Sequence, residues 1–407
     1  MYIRTVTYFL DPGWPLADDR IAEAGLVASE VKDALVEAGY TVQSLRLAIS
    51  PFGRVLNGDA SRLKQLALDL EAACFVHKLD FASLGPAQPA DGAAMYQAIP
   101  EALEAAEHVF ASAVIADPAG GLNLPAVRWT ADVIQRCAKI GPDGFGNLRF
   151  TALANVPAGS PFFPAGYHDG GSPVFSLGAE AAELAVTACA EATSLADARA
   201  RLVRAVEDHA QRLVKATKRF SSRRGLRFGG IDFTLAPFPE TARSLGSAVE
   251  RLTGQPMGGH GTLAAAAFLA DALDRARIPS AGFSGLFFPV LEDSVLAARA
   301  AEGRLTVNDL LLYCTVCGAG LDTVPLPGAV SSDILAGILA DVGALSLRLN
   351  KPLTARLMPI PGKQAGDEIH FDFPYFADSR VMATRDSGLG GLFVGDEAVE
   401  IGPRVRG

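Results

Sequence analysis

The sequence predicts an α/β fold whose strands run mainly parallel. Apolar runs of strand length alternate along the 407 residues with segments of helical periodicity. The helical segments have about ten residues or more, which is the length that a crossover between parallel strands needs. No linker-like tract divides the chain. We therefore expect residues 1–376 to form one large domain and residues 377–407, which are rich in glycine, to form a C-terminal appendage.

The individual elements follow from the same pattern. The opening run "YIRTVTYFL" is typical of a strand, and residues 18–39 then carry apolar side chains at helical spacing and end at Gly39. Residues 40–49 predict a second strand. The further predictions are a helix at about 60–73, a strand at 108–116, a helix around 124–139, a strand at 148–156, two long alanine-rich helices at about 177–220, a strand at 226–238, two helices, a strand at 280–290, more helices, and a strand at 353–362.

Composition narrows the class of protein. The formal net charge of −9 and the pI near 5.3 argue against a nucleic-acid-binding protein. No apolar stretch approaches the ~18 residues of a membrane span, and the first residues do not have the pattern of a signal peptide. The five cysteines have no disulfide-framework spacing. We expect a cytoplasmic protein that binds a small molecule, with no nucleic-acid or membrane partner.

Four loops predict where that small molecule binds. Each follows a predicted strand and is rich in proline, glycine and polar residues; they are residues 154–171, 231–240, 287–293 and 356–367. In parallel α/β folds the loops at the carboxyl ends of the strands converge on one crevice. We therefore predict a site formed by these four loops.

The stretch "CTVCGAGLDTVPLPG", residues 314–328, places two thiols three positions apart. This spacing puts both sulfur atoms on one face of a helix, near its C-terminal end. A zinc site would need a second Cys/His pair, and the sequence has none at suitable spacing. Two interpretations stay open: buried thiols of the core, or a catalytic Cys317 at the edge of the glycine-rich loop.

Three further residues are candidates for catalysis. His168 stands beside Asp169 in a glycine-rich loop, where it could act as a base or a metal ligand, or have only a structural role. Asp232 is a charged residue within an apolar run, so it must be paired or face a cavity. Glu292 follows an apolar strand and could act as a base or a magnesium ligand; the alternative is an acid that favours a helix N-terminus.

Five residues are candidates for substrate binding. His260 lies in "GGHGT" before a helix, where backbone N–H groups can approach an anion, although the motif is neither a P-loop nor a dinucleotide fingerprint. Lys363, in "PGKQAGD", suits a carboxylate or phosphate, and a plain surface turn is the alternative. The remaining three lie in or beside the other predicted loops and are Asn155, Asp322 and Arg356.

Several long stretches resemble the domain-of-unknown-function 711 family, an uncharacterised family with a pyruvate-formate-lyase-like barrel. They include "FTALANVPAGSPFFPAGYHDG", "GGIDFTLAPFPETARSLG", "FSGLFFPVLEDSVLAARAAEGR" and "LLLYCTVCGAGLDTVPLPG", and the resemblance spans most of residues 148–381. It implies a single large α/β barrel like that of glycyl radical enzymes, and a homodimer. It also implies that Cys317 corresponds to the family's cysteine, followed by Asp322, and it implies no settled activity.

Three hypotheses for function follow. The first is a non-radical enzyme that acts on a small polar or anionic metabolite by hydrolysis, acyl transfer or lyase chemistry, assisted in one version by a divalent cation. The second is a non-catalytic small-molecule-binding or regulatory protein on the same barrel. The third is a glycyl radical enzyme, since the C-terminal "GPRVRG" resembles the pattern around a radical-bearing glycine and would place the radical on Gly407. A four-residue match carries little weight.

Overall fold

A computed structural model describes residues 1–221 and 225–403. Its strands are β1 (Tyr2–Leu10), β2 (Val42–Ile49), β3 (Phe81–Ala87), β4 (Val109–Asp117), β5 (Gly121–Asn123), β6 (Phe150–Ala154), β7 (Val174–Glu180), β8 (Arg227–Asp232), β9 (Gly320–Pro327), β10 (Leu353–Ile360), β11 (Glu368–Ile369), β12 (Ser379–Arg380) and β13 (Ala398–Val399).

Helices connect most of these strands. The α-helices are α1 (Asp18–Glu37), α2 (Phe52–Val55), α3 (Leu63–Val76), α4 (Ala93–Ala105), α5 (Leu124–Cys137), α6 (Ala182–Glu191), α7 (Leu195–Ser221), α8 (Leu245–Thr253), α9 (Thr262–Arg275), α10 (Ser294–Ala301), α11 (Val307–Tyr313) and α12 (Ser332–Leu349). Short 3₁₀ helices cover Ala60–Arg62, Pro89–Asp91, Pro142–Arg149, Thr241–Arg243 and Gly391–Val394.

The central sheet is mostly parallel and has the strand order β8-β7-β1-β2-β3-β4-β6-β10-β9, with β5 and β13 attached beside β4. Strands β1, β2, β3, β4 and β6 run parallel to one another. Strands β7 and β8 form a parallel pair, as do β9 and β10. The two directions meet antiparallel at β1–β7 and at β6–β10. The predicted α/β class is confirmed.

The two edge strands of this sheet contact one shared segment. Ile231 in β8 forms an isolated parallel bridge with Ser280, and Leu235, just beyond β8, forms one with Leu286. Asp322 in β9 forms a third with Pro289. Residues 280–290, predicted as a strand, therefore lie between β8 and β9 and pair with them through single bridges.

Local sequence misassigned three strands. Residues 174–180 form β7, although the prediction began a helix at about 177, because alanine is common on both sides of the boundary and favours a helix. Strand β3 went unrecognised because "FASLGPA" contains glycine and proline. Strand β9, which carries Pro325 and Pro327, was treated as a loop for the same reason. The first predicted helix is confirmed as α1, which buries its apolar face.

The loop from Asn155 to Pro173, between β6 and β7, is mostly buried over residues 160–168, and we call it the interior loop. Near its end the N–H of His168 donates to the carbonyl of Ile49, the last residue of β2, at 3.0 Å. The Ser83 hydroxyl donates to the carbonyl of Gly166 at 2.8 Å. At the tip, the Phe162 ring packs edge-on against Phe287 with 5.2 Å between ring centroids. The loop therefore brings aromatic side chains into the centre of the fold.

The chain after residue 376 lies against the rest of the fold. The N–H of Ala377 donates to the carbonyl of Leu291 at 2.7 Å, and that of Met382 donates to Pro325 at 2.9 Å. Strand β13 pairs antiparallel with β5. Within the described part of the chain, no helix is long and apolar enough to cross a membrane.

Candidate functional site

A cavity of about 630 Å³ opens beside the tip of the interior loop. It lies at the amino ends of β1 to β4 and at the carboxyl ends of β7 and β8, because these two groups of strands run in opposite directions. Each of the four predicted loops contributes to its wall. The lining residues taken from those loops include Pro161, Phe162, Phe163, Asp232, Thr234, Ala236, Phe287, Glu292 and Arg356.

A buried pair of ions joins β9 to β10 beside this cavity. Arg356 binds Asp322 in a bidentate manner, from Nε to Oδ1 at 2.5 Å and from Nη2 to Oδ2 at 2.6 Å. Burial raises the pKa of Asp322 to about 6, against the lowering effect of the Arg356 charge. Burial also opposes the charge on Arg356, but Asp322 and Glu292 outweigh it and raise the arginine pKa. Arg356 is thus a cation held by carboxylates.

Glu292 links Arg356 to a second arginine from β1. Its Oε1 accepts a hydrogen bond from Arg356 Nη2 at 2.9 Å, and its Oε2 accepts one from Arg4 Nη1 at 3.1 Å. Arg4 also lies 3.6 Å from Glu180 of β7, which accepts a hydrogen bond from Arg243. Positive and negative side chains therefore alternate in a row across six parts of the fold. We call this row the ionic network; its members are Arg243, Glu180, Arg4, Glu292, Arg356 and Asp322.

Arg46 of β2 also lines the cavity, but it has no carboxylate partner. Its Nε donates to the Ser44 hydroxyl at 2.9 Å. Among the described residues, no aspartate or glutamate oxygen lies within the 4.0 Å of an ion pair with its guanidinium group. Burial, and secondly the positive charge of Arg4, lower the pKa of Arg46 to about 9. The charge of this half-buried cation is compensated only in part, by the more distant carboxylates of Glu292 and Asp80, and a bound anion would add a direct partner.

Aromatic rings flank the guanidinium group of Arg46. Its Cζ lies 5.1 Å from the ring centroid of Phe163 and 5.9 Å from that of Phe81. Phe110 packs against both rings, at 5.6 Å each. Such contacts hold the planar cation in one orientation and stabilise its charge through the ring faces. The arrangement is suited to present the cation to a bound molecule.

Asp232, a predicted catalytic residue, lines the cavity but is engaged in its own turn. Its carboxylate accepts hydrogen bonds from the backbone N–H groups of Phe283, Ser284 and Thr234 at 3.0 to 3.1 Å, and from the Thr234 hydroxyl. A Cβ atom added to Gly282 would lie 2.1 Å from Oδ2, so the turn closes tightly around the carboxylate. Burial raises the pKa of Asp232, while these hydrogen bonds lower it. These bonds support a structural role for Asp232.

Cys317 is not among the residues that line the cavity. It follows α11, is 2% exposed and packs within the main hydrophobic core. A hydrogen bond from the Cys314 thiol is the main cause that lowers the pKa of Cys317 to about 7, and Lys351 also lowers it. The Lys351 ammonium group donates to the carbonyls of both cysteines. The catalytic role of this thiol stays a prediction, and this cavity does not serve it.

His168 lies in the later part of the interior loop and is not among the residues that line the cavity. The side chain is buried, and its Nε2 atom has no hydrogen-bond partner within residues 1–221 and 225–403. Burial lowers the pKa of His168, whereas the nearby Asp169 raises it, so the neutral imidazole is favoured. Because His168 sits by the carboxyl end of β2 and the cavity by its amino end, the structure does not bring His168 together with Glu292.

Three predicted substrate-binding residues also lie away from the cavity. Asn155 has φ of 52° and places Nδ2 3.4 Å from Oδ1 of Asn350. His260 is exposed before α9, and Lys363 lies beside a separate surface groove. Of the nine predicted residues, the structure brings four together at the cavity and the ionic network, namely Asp232, Glu292, Asp322 and Arg356. Gly407 lies outside the described residues.

Sequence reasoning missed Arg4 and Arg46. Each is a charged residue within an apolar strand, in "YIRTVTYFL" and "LRLAI", which is the same signal that identified Asp232. Applied to every strand, that rule would have found both. Residues 1–221 and 225–403 contain no group of three or more histidine, cysteine, aspartate or glutamate side chains arranged to hold a metal ion.

Comparison with known proteins gives a consistent result. A family model described as "Uncharacterised ACR (DUF711)" matches residues 1–377. A UPF0210 protein of Pyrobaculum aerophilum is 32% identical over 346 residues, which cover 81% of this chain and 76% of that protein. A UPF0210 protein of Methanopyrus kandleri is 32% identical over 375 residues, with 86% and 82% covered. One of Acetivibrio thermocellus is 30% identical over 366 residues, with 85% and 81% covered.

Proposed function

The chain belongs to the DUF711 family of uncharacterised proteins, and we propose that it binds a small anionic metabolite in the arginine-lined cavity and acts on it as a non-radical enzyme. The observation that carries the proposal is Arg46. Arg46 is half-buried and has no ion-pair partner among the described residues, so an anion bound in the cavity would supply one. Its position on the wall of a cavity gives a small molecule access to it.

Glu292 is the residue that would take part in proton transfer. Its carboxylate reaches the cavity between Arg4 and Arg356, and both arginines can stabilise negative charge that develops on a bound molecule. The reaction class that fits a carboxylate base beside guanidinium groups is hydrolysis, acyl transfer or lyase chemistry. A water molecule or a carbon acid of the bound metabolite would give its proton to Glu292.

The second candidate function is binding without turnover. It is favoured by the engagement of the carboxylates, because Glu292 is held by two arginines and Asp232 by four hydrogen bonds. The oxygen atoms of both carboxylates are already occupied by these hydrogen bonds, which leaves them less free to accept a proton from a bound molecule. In that case the cavity would serve a regulatory protein.

The fold-level proposals are consistent with this site. We propose that the bridges of residues 280–290 with β8 and β9 close the sheet into a ten-stranded barrel of two oppositely directed halves, with the cavity at one end of its interior. This would agree with the pyruvate-formate-lyase-like barrel that the resemblance implies. We also propose that residues 1–376 form a single domain with the C-terminal segment packed on it, and that the protein is a cytoplasmic homodimer.

The test is to identify what the purified protein retains and what it does to it. Mass spectrometry of the supernatant after denaturation should find an anionic molecule near one equivalent from the wild type and much less from Arg46→Gln. An exposed arginine provides the matched control, Arg62→Gln, because Arg62 pairs with Asp59 at the surface, away from the cavity. Incubation of the recovered molecule with fresh protein then distinguishes an enzyme, which consumes it, from a binder, which returns it unchanged. Equal retention by Arg46→Gln would contradict the proposal.

A further inference from the structure

We propose that the ligand of the cavity is a monocarboxylate with an apolar, flat body, and that Arg46 binds its carboxylate in a bidentate manner. This inference rests on the proposed function and names the class of the anion. Three features of the cavity carry it: the free edge of Arg46, the balance of charge around it, and the apolar wall beside it.

The free edge of Arg46 fixes how an anion approaches. The Nε donor is used by Ser44, whose hydroxyl in turn donates to the carbonyl of Arg4 at 2.8 Å. The Phe163 and Phe81 rings lie beside the guanidinium group, 5.1 and 5.9 Å from its Cζ to their centroids. The two terminal nitrogen atoms have no hydrogen-bond partner among the described residues, so they remain available to an anion. Two parallel N–H donors in one plane match the two oxygen atoms of a carboxylate.

The balance of charge favours a single negative charge. Four guanidinium groups stand beside three carboxylates when Arg46 is counted with the ionic network. Asp232, Glu104 and Glu107 place further carboxylates on the wall of the cavity, and Arg149 adds one more cation. A monoanion meets less repulsion from these carboxylates than a dianion does. A phosphate monoester, which carries about two charges at pH 7, would place an extra negative charge near Glu292, in a site of low dielectric constant.

The apolar side chains beside Arg46 favour a ligand with an apolar part. Phe110 and Phe163, which pack against each other, line the cavity, and so do the apolar residues Ile140, Pro142, Phe145 and Phe373. The volume of about 630 Å³ exceeds what a carboxylate alone occupies and lies within the range of about 300–1,000 Å³ that holds drug-sized ligands. A short polar anion would leave these side chains in contact with trapped water. A flat aromatic ring attached to the carboxylate would cover them and could stack against the phenylalanine rings.

The experiment compares four probes by isothermal titration calorimetry on the full chain. They are 3-phenylpropanoate, its neutral amide, propanoate, which lacks the ring, and 2-phenylethyl phosphate. We expect 3-phenylpropanoate to bind at least tenfold more tightly than each of the others. Loss of hydrogen bonds to a charged group typically weakens binding by ~10- to 100-fold, so Arg46→Gln should weaken it by that amount. The surface control Arg62→Gln should bind as the wild type does.

The outcomes separate the two proposals. Tighter binding of the phosphate, or equal binding of propanoate, would overturn the ligand class while leaving an anionic ligand in place. Equal binding of the neutral amide, or binding by none of the four probes, would overturn the proposed function as well. If circular dichroism shows that Arg46→Gln does not fold, Arg46→Lys replaces it, because lysine keeps the positive charge but lacks the two parallel N–H donors of the guanidinium group. The comparison among probes on the wild type decides the class without any variant.

Discussion

Replacing Glu292 by glutamine should change stability and anion affinity in opposite directions. In the native protein the carboxylate accepts one hydrogen bond from Arg4 at 3.1 Å and one from Arg356 at 2.9 Å, and its side chain is 9% exposed. Glutamine keeps the size of the side chain and one acceptor oxygen but removes the charge. Both arginines then lose a charged partner in a buried place, although Arg356 retains Asp322.

The magnitude follows from the burial of these groups. Breaking a buried ion pair by removing one partner typically costs about 3–5 kcal/mol. The remaining contacts of the arginines and the amide oxygen of the new side chain reduce this, so we expect a loss of about 3 kcal/mol. Unfolding entropy of ~2.1 cal/mol/K per residue over this chain converts that loss to a fall in melting temperature of about 3–4 °C. The affinity for 3-phenylpropanoate should rise about tenfold, because one negative charge leaves the cavity.

The assay pairs thermal unfolding with calorimetric titration of 3-phenylpropanoate. A matched control is Glu302→Gln, since Glu302 also bridges two arginines, Arg299 at 2.7 Å and Arg304 at 3.1 Å, but lies exposed. Exposed pairs contribute only about 0–1 kcal/mol, so the control should change the melting temperature by 1 °C or less. An unchanged melting temperature for Glu292→Gln, or a weaker affinity for the anion, would refute the reasoning about the ionic network.

Three further predictions concern the surroundings of the cavity. Burial raises the pKa of Asp322 from 3.8 to about 6, so the folded protein binds a proton at this carboxylate more tightly than the unfolded chain does. Lowering the pH from 7 to 5 should therefore add about 1 kcal/mol to the free energy of unfolding. Chemical denaturation at both pH values should find this increase smaller by about 1 kcal/mol in Asp322→Asn. Cys317→Ala should lower the free energy of unfolding by about 1–2 kcal/mol, because it removes a buried group. The dissociation constant of 3-phenylpropanoate should stay within twofold of the wild-type value. A larger loss of affinity would mean that the thiol takes part in the site. Gly282→Ala should lower both the melting temperature and the affinity for 3-phenylpropanoate, because the new Cβ would lie 2.1 Å from Asp232 Oδ2 and the residue has a φ of 59°. A stable variant with unchanged affinity would mean that this turn does not support the cavity.

Local sequence was sufficient where one segment decides its own structure. The spacing of apolar residues in 18–39 produces an amphipathic helix in almost any α/β fold, and α1 occupies these residues apart from its last two. Strand β1 follows in the same way from its run of apolar and β-branched residues. The local sequence was insufficient to predict β3 and β9, because their prolines and glycines disfavour a strand. Their pairing with neighbouring strands outweighs that local preference.

The same division applies to the candidate site. A charge within an apolar strand must find a partner or a cavity, so the sequence marks Asp232 and Arg46 as residues to explain. The sequence cannot show which partner each side chain has. Asp232 accepts hydrogen bonds from a turn some fifty positions later in the chain, whereas Arg46 donates to a hydroxyl group and has no carboxylate partner among the described residues. The cysteine pair attracted attention by its spacing alone, and packing places it in the core.

By itself, then, the sequence determined the alternation of strands and helices, the family to which the chain belongs, and the four loops that contribute to the wall of the cavity. Tertiary structure decided which charges meet there. Two groups of strands run in opposite directions, so the amino ends of β1 and β2 lie beside the carboxyl ends of β7 and β8. Side chains far apart in the chain, such as Arg4 and Glu292, become neighbours through that antiparallel junction. The direction and order of strands depend on long-range pairing, which the local pattern of residues does not encode.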